Sequence, residues 1–213
     1  MKNKGLLVAA GTVLGAVVLI KLTSKAFASQ YVSFPASDFF QPDKVTYLAD
    51  LLAAEDEDEF ILNAWNYVGL GITYEPIGSD INFDGETISC LYCWTVEQTL
   101  ARGLGNCVCK SSVLASILLN RLAPERVHMV IGGFAMDGVG GHAWLTVNRG
   151  GGEYIVEATS PPKAVQPWVP ASLMSSVYIP YAVFSPLDFA CLDNHFCVRV
   201  NECDCGRRIQ ELL

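Results

Sequence analysis

Cys107, His142 and Glu157 are the residues of this 213-residue chain whose types and spacing suit covalent chemistry. Cys107 follows Gly103-Leu104-Gly105-Asn106 and opens a stretch, Cys107–Leu122, that is apolar almost all round after Ser112. Such a pattern predicts a buried central helix, with Asn106 as its N-cap and Pro124 as its stop. A cysteine in the first turn faces unsatisfied backbone N–H groups and the positive end of the helix dipole, both of which favour a thiolate. That is what a nucleophilic cysteine needs.

His142 begins a segment in which His142, Trp144 and Thr146 alternate with Ala143, Leu145 and Val147. Glu153–Ala158 alternates again, and Arg149-Gly150-Gly151-Gly152 between them reads as a turn, so the two segments form a hairpin. His142 and Glu157 share a face of that hairpin when paired positions sum to an odd number. A two-residue loop sets them opposite each other, a four-residue loop sets them diagonal, and a three-residue loop puts them on opposite faces. In a favourable register the carboxylate orients the imidazole while the other ring nitrogen addresses the thiol. Alone, each residue has a plainer reading. A free cysteine is among the most buried residue types. Cys109 points to a different helix face and reads as core, and His128 reads as a core histidine in a hydrophobic strand. Trp94, Asn106 and Trp144 are candidates for lining the site, Trp94 more simply by packing, and Gln98 is either an oxyanion donor or a packing residue.

These residues must be positioned by the elements around them. Asp50 to Tyr67 reads as a helix whose acidic run, Glu55 to Glu59, forms a solvated first turn without an EF-hand spacing. Thr87–Arg102 contains a second helical stretch, and Arg126–Phe134 and Val177–Phe184 read as strands. Helices first and antiparallel strands second predict an α+β domain with a buried helix packed on a sheet. The divisions expected are a membrane anchor or signal peptide over 1–28, a tether over 29–49, a catalytic core over 50–160, and a strand with a cysteine-rich extension over 161–213.

Six further cysteines, Cys90, Cys93, Cys191, Cys197, Cys203 and Cys205, suit structural staples. Disulfides are the first reading if the domain lies outside the cytoplasm. The competitor is zinc, held by Cys90, Cys93, Cys203 and Cys205, or by Cys191, His195, Cys197 and a fourth ligand. No βαβ pattern surrounds Cys90-x-x-Cys93, which argues against a thioredoxin-like role.

Charge and hydropathy narrow the function classes. The first 28 residues carry four lysines and no acid, whereas the rest carries ten basic and twenty-two acidic groups. A body this acidic lacks the footprint for phosphate backbones, so nucleic acid is not an expected partner. Gly5–Ile20 is apolar except for Thr12 and is flanked by lysines. At about 1.5 Å per residue its sixteen residues span roughly 24 Å, just short of a bilayer core of roughly 30 Å. Ala26-Phe27-Ala28 before Ser29 resembles a signal-peptidase site. The expectation is a chain anchored in the membrane through residues 5–20, or secreted, and in either case extracytoplasmic.

The motifs as a set resemble a known family. Trp94-Thr95-Val96-Glu97-Gln98-Thr99-Leu100-Ala101-Arg102-Gly103-Leu104-Gly105-Asn106-Cys107, with Lys110, Ser111 and Leu114–Arg121, is similar to the segment leading into the nucleophile of the transglutaminase-like cysteine peptidase superfamily. Gly141-His142-Ala143-Trp144 resembles its histidine motif, Glu157-Ala158-Thr159 its acidic strand, and Trp65 through Tyr74 its upstream helix with a trailing tyrosine. The resemblance covers roughly residues 50–160. It implies a papain-like fold and acyl transfer through a thioester on Cys107, with His142 as base and then acid, Glu157 as the third member, and an oxyanion hole that includes the Cys107 N–H. It implies no metal or organic cofactor.

Two positions depart from the family pattern, which usually has aspartate where Asn106 and Glu157 stand. Asparagine preserves the cap, while glutamate adds a methylene where precision matters. Three functions follow as expectations: hydrolysis of an amide in a peptide or protein, transfer of the acyl group to an amine in protein cross-linking, and an inactive, anchored binding module.

Overall fold

The computed structural model describes residues 39–75, 80–83, 86–89, 94–135, 140–159 and 167–192. The apolar N-terminal segment and Cys90, Cys93, Cys197, Cys203 and Cys205 lie outside them, as does the proposed cleavage site, while Cys191 lies in a strand. The anchor, the disulfides and the zinc alternative are thus not addressed by the structure. Among the described residues, no helix is long and apolar enough to cross a membrane, and no group of three or more His, Cys, Asp or Glu side chains is arranged to hold a metal.

The helices are α1 (Thr46–Leu51), α2 (Glu57–Gly71), α3 (Val96–Arg102) and α4 (Cys107–Leu118). Short strands β1 (Thr73–Tyr74) and β4 (Leu104–Gly105) pair in parallel, and β2 (Asp80–Phe83) and β3 (Glu86–Ser89) form a hairpin. The remaining strands are β5 (Val127–Phe134), β6 (Gly140–Arg149), β7 (Gly152–Val156), β8 (Trp168–Pro170), β9 (Tyr178–Phe184) and β10 (Phe189–Cys191). They join in one antiparallel sheet of order β10-β9-β5-β6-β7-β8. The α+β expectation of a central helix on an antiparallel sheet is what the chain adopts.

Alternation divides the sheet into two faces. Val127, Met129, Ile131, Ala143, Leu145 and Val147 face α4, whose Val113, Leu114, Ile117 and Leu118 are fully buried among them. Val130, Trp144 and Ile155 form a smaller cluster on the opposite face, covered by Ala171, Met174, Tyr178 and Val183. Burial at about 25 cal/mol per Å² makes the first face the main source of stability and a rigid bed for the cysteine-bearing helix.

Several sequence expectations need correction. Asp50–Tyr67 is not one helix. α1 ends at Leu51, and α2 starts afresh at Glu57 because the Asp56 side chain accepts from the Glu59 N–H at 3.0 Å, a cap that competes with helix continuation. The acidic run is only partly solvated: Glu57 makes a bidentate pair with Arg126 at 2.6 and 2.8 Å, and Asp58 pairs with Arg149. Both arginines flank the sheet, so the first turn of α2 is tied to β5 and β6. Arg126 also holds the Glu57 carboxyl below its usual range. Residues 39–49 are no tether, since Phe39, Phe40, Val45, Leu48 and Ala49 are buried in the main core. The helical stretch expected within Thr87–Arg102 is present as Val96–Arg102, started by a reciprocal cap between Thr95 and Gln98, and Thr87–Ser89 are strand. The strands beyond residue 161 complete the central sheet instead of extending from it.

Candidate active site

α4 starts where the sequence places it. Asn106, in extended backbone, accepts from the Cys109 N–H at 3.0 Å and sets Cys107 at the first helical position. Gly105 in the preceding strand lets that start pack closely, because a Cβ there would lie 2.8 Å from Cys109 Cβ and 3.2 Å from Thr99 Cγ2. One turn into the helix, the Ser111 hydroxyl donates to the Ala143 carbonyl at 3.3 Å, which fixes α4 against the residue beside His142. Lys110 is buried and donates to the Ile72 carbonyl at 2.7 Å. Its burial lowers the ammonium's affinity for its proton, and the nearby Glu157 charge opposes that. The helix ends at Leu118, four residues before the predicted end, as the Asn120 amide donates to both Ser116 and Pro42 carbonyls and draws the chain off the helical path.

The hairpin delivers His142 and Glu157. Gly150 and Gly151, at φ +57° and +81°, form a two-residue turn that only glycine adopts without strain, and Arg149 pairs with Gly152. Paired positions sum to an odd number, the same-face register. The turn is centred so that Glu157 falls diagonal to His142 although the loop has two residues, a geometry expected only for four. The diagonal suits the longer carboxylate: His142 Nε2 and Glu157 Oε2 are 2.7 Å apart, both side chains about 14% exposed. With Nε2 committed to Glu157, Nδ1 is the nitrogen left for the Cys107 thiol, which lies within hydrogen-bonding reach of the ring.

Further groups secure the carboxylate. Glu157 Oε1 accepts from the Thr159 N–H at 2.8 Å and the Thr159 hydroxyl at 2.6 Å, and Oε2 also accepts from the Tyr178 hydroxyl at 3.1 Å. The Trp65 indole N–H reaches from α2 to the Glu157 backbone carbonyl at 2.8 Å. On the histidine side, Trp144 stacks at 6.0 Å and 22°, and Phe134 packs at 5.2 Å. Tyr74, about half exposed, senses the site: burial first, then the negative charges at Cys107 and Glu157, raise its phenol above the ordinary value.

Of the other residues singled out in the sequence, Gln98 spends its Oε1 on the Thr95 N–H at 3.1 Å, a capping role. Trp94 carries the Arg102 guanidinium 4.6 Å above its ring. Trp144 is buried behind His142. Tyr178 was not legible as a site residue: the Val177–Phe184 period predicts a strand, but nothing in the sequence couples that strand to Glu157.

Burial works against a charged imidazole at His142, but hydrogen bonds to Cys107 and Glu157, and their negative charges, outweigh it and raise the group from 6.5 to about 9. Burial would likewise raise the Glu157 carboxyl. The His142 hydrogen bond and charge, followed by the Thr159 donors, hold it below its ordinary 4.5. These shifts fix a pH dependence of stability. The raised imidazole contributes stability that is complete below pH 6.5 and lost as pH rises through about 9, whereas the lowered carboxyl contributes stability present above pH 4.5 and lost on further acidification. The gap in thermal midpoint between wild type and His142→Ala should therefore be widest between pH 4.5 and 6.5 and shrink by pH 9. A gap of constant size across a thermal-unfolding pH series would mean that no ion pair forms.

A helix-borne cysteine set against an antiparallel sheet that carries histidine and acid is an α+β arrangement consistent with a transglutaminase-like fold. Solved structures of LapG share the overall fold. LapG from Legionella pneumophila superposes with a TM-score of 0.54 at 11% identity, covering 87% of this chain and 93% of that one. Its EGTA-treated form gives 0.53 at 11% identity over 84% of this chain and 87% of that one. A TGase structure gives a TM-score of 0.41 at 16% identity over 76% of this chain and 42% of that one. No family model and no curated protein matches the sequence.

Proposed function

We propose that the protein is a thiol-dependent amide hydrolase acting on peptides or proteins through Cys107, His142 and Glu157. The observation that carries this reading is the 2.7 Å contact between His142 Nε2 and Glu157, with the thiol of a helix N-terminus at the same imidazole. The two departures from the family pattern do not speak for an inactive module, since Asn106 caps the helix and Glu157 reaches the histidine. In this mechanism the Cys107 sulfur attacks the amide carbonyl, and the His142 imidazolium gives its proton to the departing amine. A water, deprotonated by the neutral imidazole, then attacks the thioester and releases the acid and the free thiol. Glu157 holds the ring in one orientation and balances the imidazolium charge. No metal or organic cofactor enters this scheme. The proposal includes an extracytoplasmic location, tethered through residues 5–20 or released behind Ala28.

The test is peptide-resolved mass spectrometry of iodoacetamide labelling, without reductant, near pH 6. An ordinary thiol, with a pKa of about 8.5, is almost wholly protonated there and reacts slowly. Rapid labelling confined to Cys107 and lost in His142→Ala supports the reading, and slow labelling or a Cys107 disulfide overturns it. Hydrolysis of an internally quenched peptide library should then lose kcat/KM as pH rises through about 9, where His142 gives up the proton needed by the leaving amine. Incorporation of a labelled amine with release of ammonia would shift the assignment to cross-linking.

A further inference from the structure

Glu157 is one methylene longer than the aspartate of the family its motif resembles, and a longer side chain has more rotamers to lose on being fixed. Its two oxygens are nonetheless both doubly engaged. Thr159 supplies two donors to Oε1, and both come from the residue next but one in the chain, so they fix one end of the carboxylate locally. Oε2 is the end that meets His142, and its second donor comes from β9, a strand that pairs with β5 and β10 and not with β7. Tyr178 reaches it across the smaller apolar cluster, with its ring edge-on to Trp144 at 5.0 Å and to Phe134 at 5.1 Å. Those same two aromatic residues flank the His142 ring.

We propose that Tyr178 is a positioning residue for the thiol chemistry: its hydroxyl locks the Glu157 Oε2 atom against His142 Nε2 and so offsets the extra methylene. The tyrosine acts through the carboxylate and not on substrate. Its phenol stays protonated and a donor throughout the working pH range, because burial first and the Glu157 charge second push its ionisation upward. Its aromatic contacts fix where the hydroxyl sits, so the donor is held in place before any substrate binds. The inference deepens the reading of Cys107, His142 and Glu157 as a catalytic set and rests on it.

Tyr178→Phe keeps the ring and deletes only the donor. The expected result is a drop of about tenfold in kcat on the best cleaved library peptide, the scale of one charge-assisted hydrogen bond, with KM within about twofold. Labelling of Cys107 by iodoacetamide should slow by a similar factor. In proton NMR, the His142 Nε2–H resonance, deshielded by its bond to the carboxylate, should move upfield, a change that packing alone would not produce. In a Glu157→Asp background, where the shorter carboxylate cannot meet both partners, adding Tyr178→Phe should cost less than about twofold, the mark of an effect that runs through Glu157. An unchanged resonance with unchanged kcat overturns the proposal, and so does an equal loss in both backgrounds. If wild-type Cys107 labels slowly, the catalytic reading fails instead, while the His142 resonance still reports whether Tyr178 governs the contact.

Discussion

Turnover of peptide substrate by Cys107→Ala is expected to fall about 10⁶-fold, the scale seen when a nucleophile is removed from a cooperating triad. The fold should survive. Cys107 occupies the first position of α4 and is only partly buried, and alanine is the best helix former. The cap formed by Asn106 uses the Cys109 backbone N–H and is untouched by the change. The buried anchors of the helix, from Val108 through Leu118, also remain. The thermal midpoint should therefore stay within a few degrees of wild type while the activity disappears. Quenched-peptide hydrolysis and thermal unfolding on the same preparation separate the two effects. Retained turnover would remove Cys107 from the chemistry whatever its place in the fold.

The contrast between Cys107 and its surroundings marks what a single sequence can carry. The place of Cys107 at a helix start was legible because its signals are local: Asn106 as a cap, an apolar helix behind it, and a short glycine-containing approach. The same-face relation of His142 and Glu157 was legible only as a condition on the loop, and the pairing of Arg149 with Gly152 meets it. What alternation does not fix is the centre of the turn. Gly150 and Gly151 place the crossing one residue later than a register with His142 opposite Glu157 requires, and the pair ends up diagonal. Non-local partners left no trace. The Tyr178 hydroxyl on Glu157, the Trp65 indole on its carbonyl and the arginines on the first turn of α2 join residues 21 to 92 positions apart. A periodic pattern identifies the elements in such cases but not the neighbour each side chain meets. Likewise, the break before Glu57 depends on whether Asp56 spends its carboxylate on a cap or on water, a choice decided by the docking of α2 onto the sheet.

Gly132→Ala is the second substitution of large expected effect, and it acts without touching any reacting group. Gly132 lies in β5 at an irregularity in the pairing with β9, facing His142 on one side and Pro180 on the other. A Cβ at this position would collide with the Ile179 carbonyl oxygen and lie 2.7 Å from Trp144 Cη2. The first obstacle is backbone of a paired strand, and the second is a buried ring stacked on His142. Neither can yield cheaply, so either β9 withdraws, carrying Tyr178 from Glu157, or Trp144 swings and pushes the imidazole. Overpacking of this kind costs about 3 kcal/mol, or roughly 6–12 °C in a domain of this size. A displacement of about 1 Å at His142 lowers turnover roughly a hundredfold. Gly141→Ala is the matched control, since a Cβ there meets nothing within 4 Å although Gly141 adjoins His142 in the chain. Peptide hydrolysis and thermal unfolding of the two variants should differ sharply. Equal behaviour would mean that the β5–β9 contact does not hold the histidine in place.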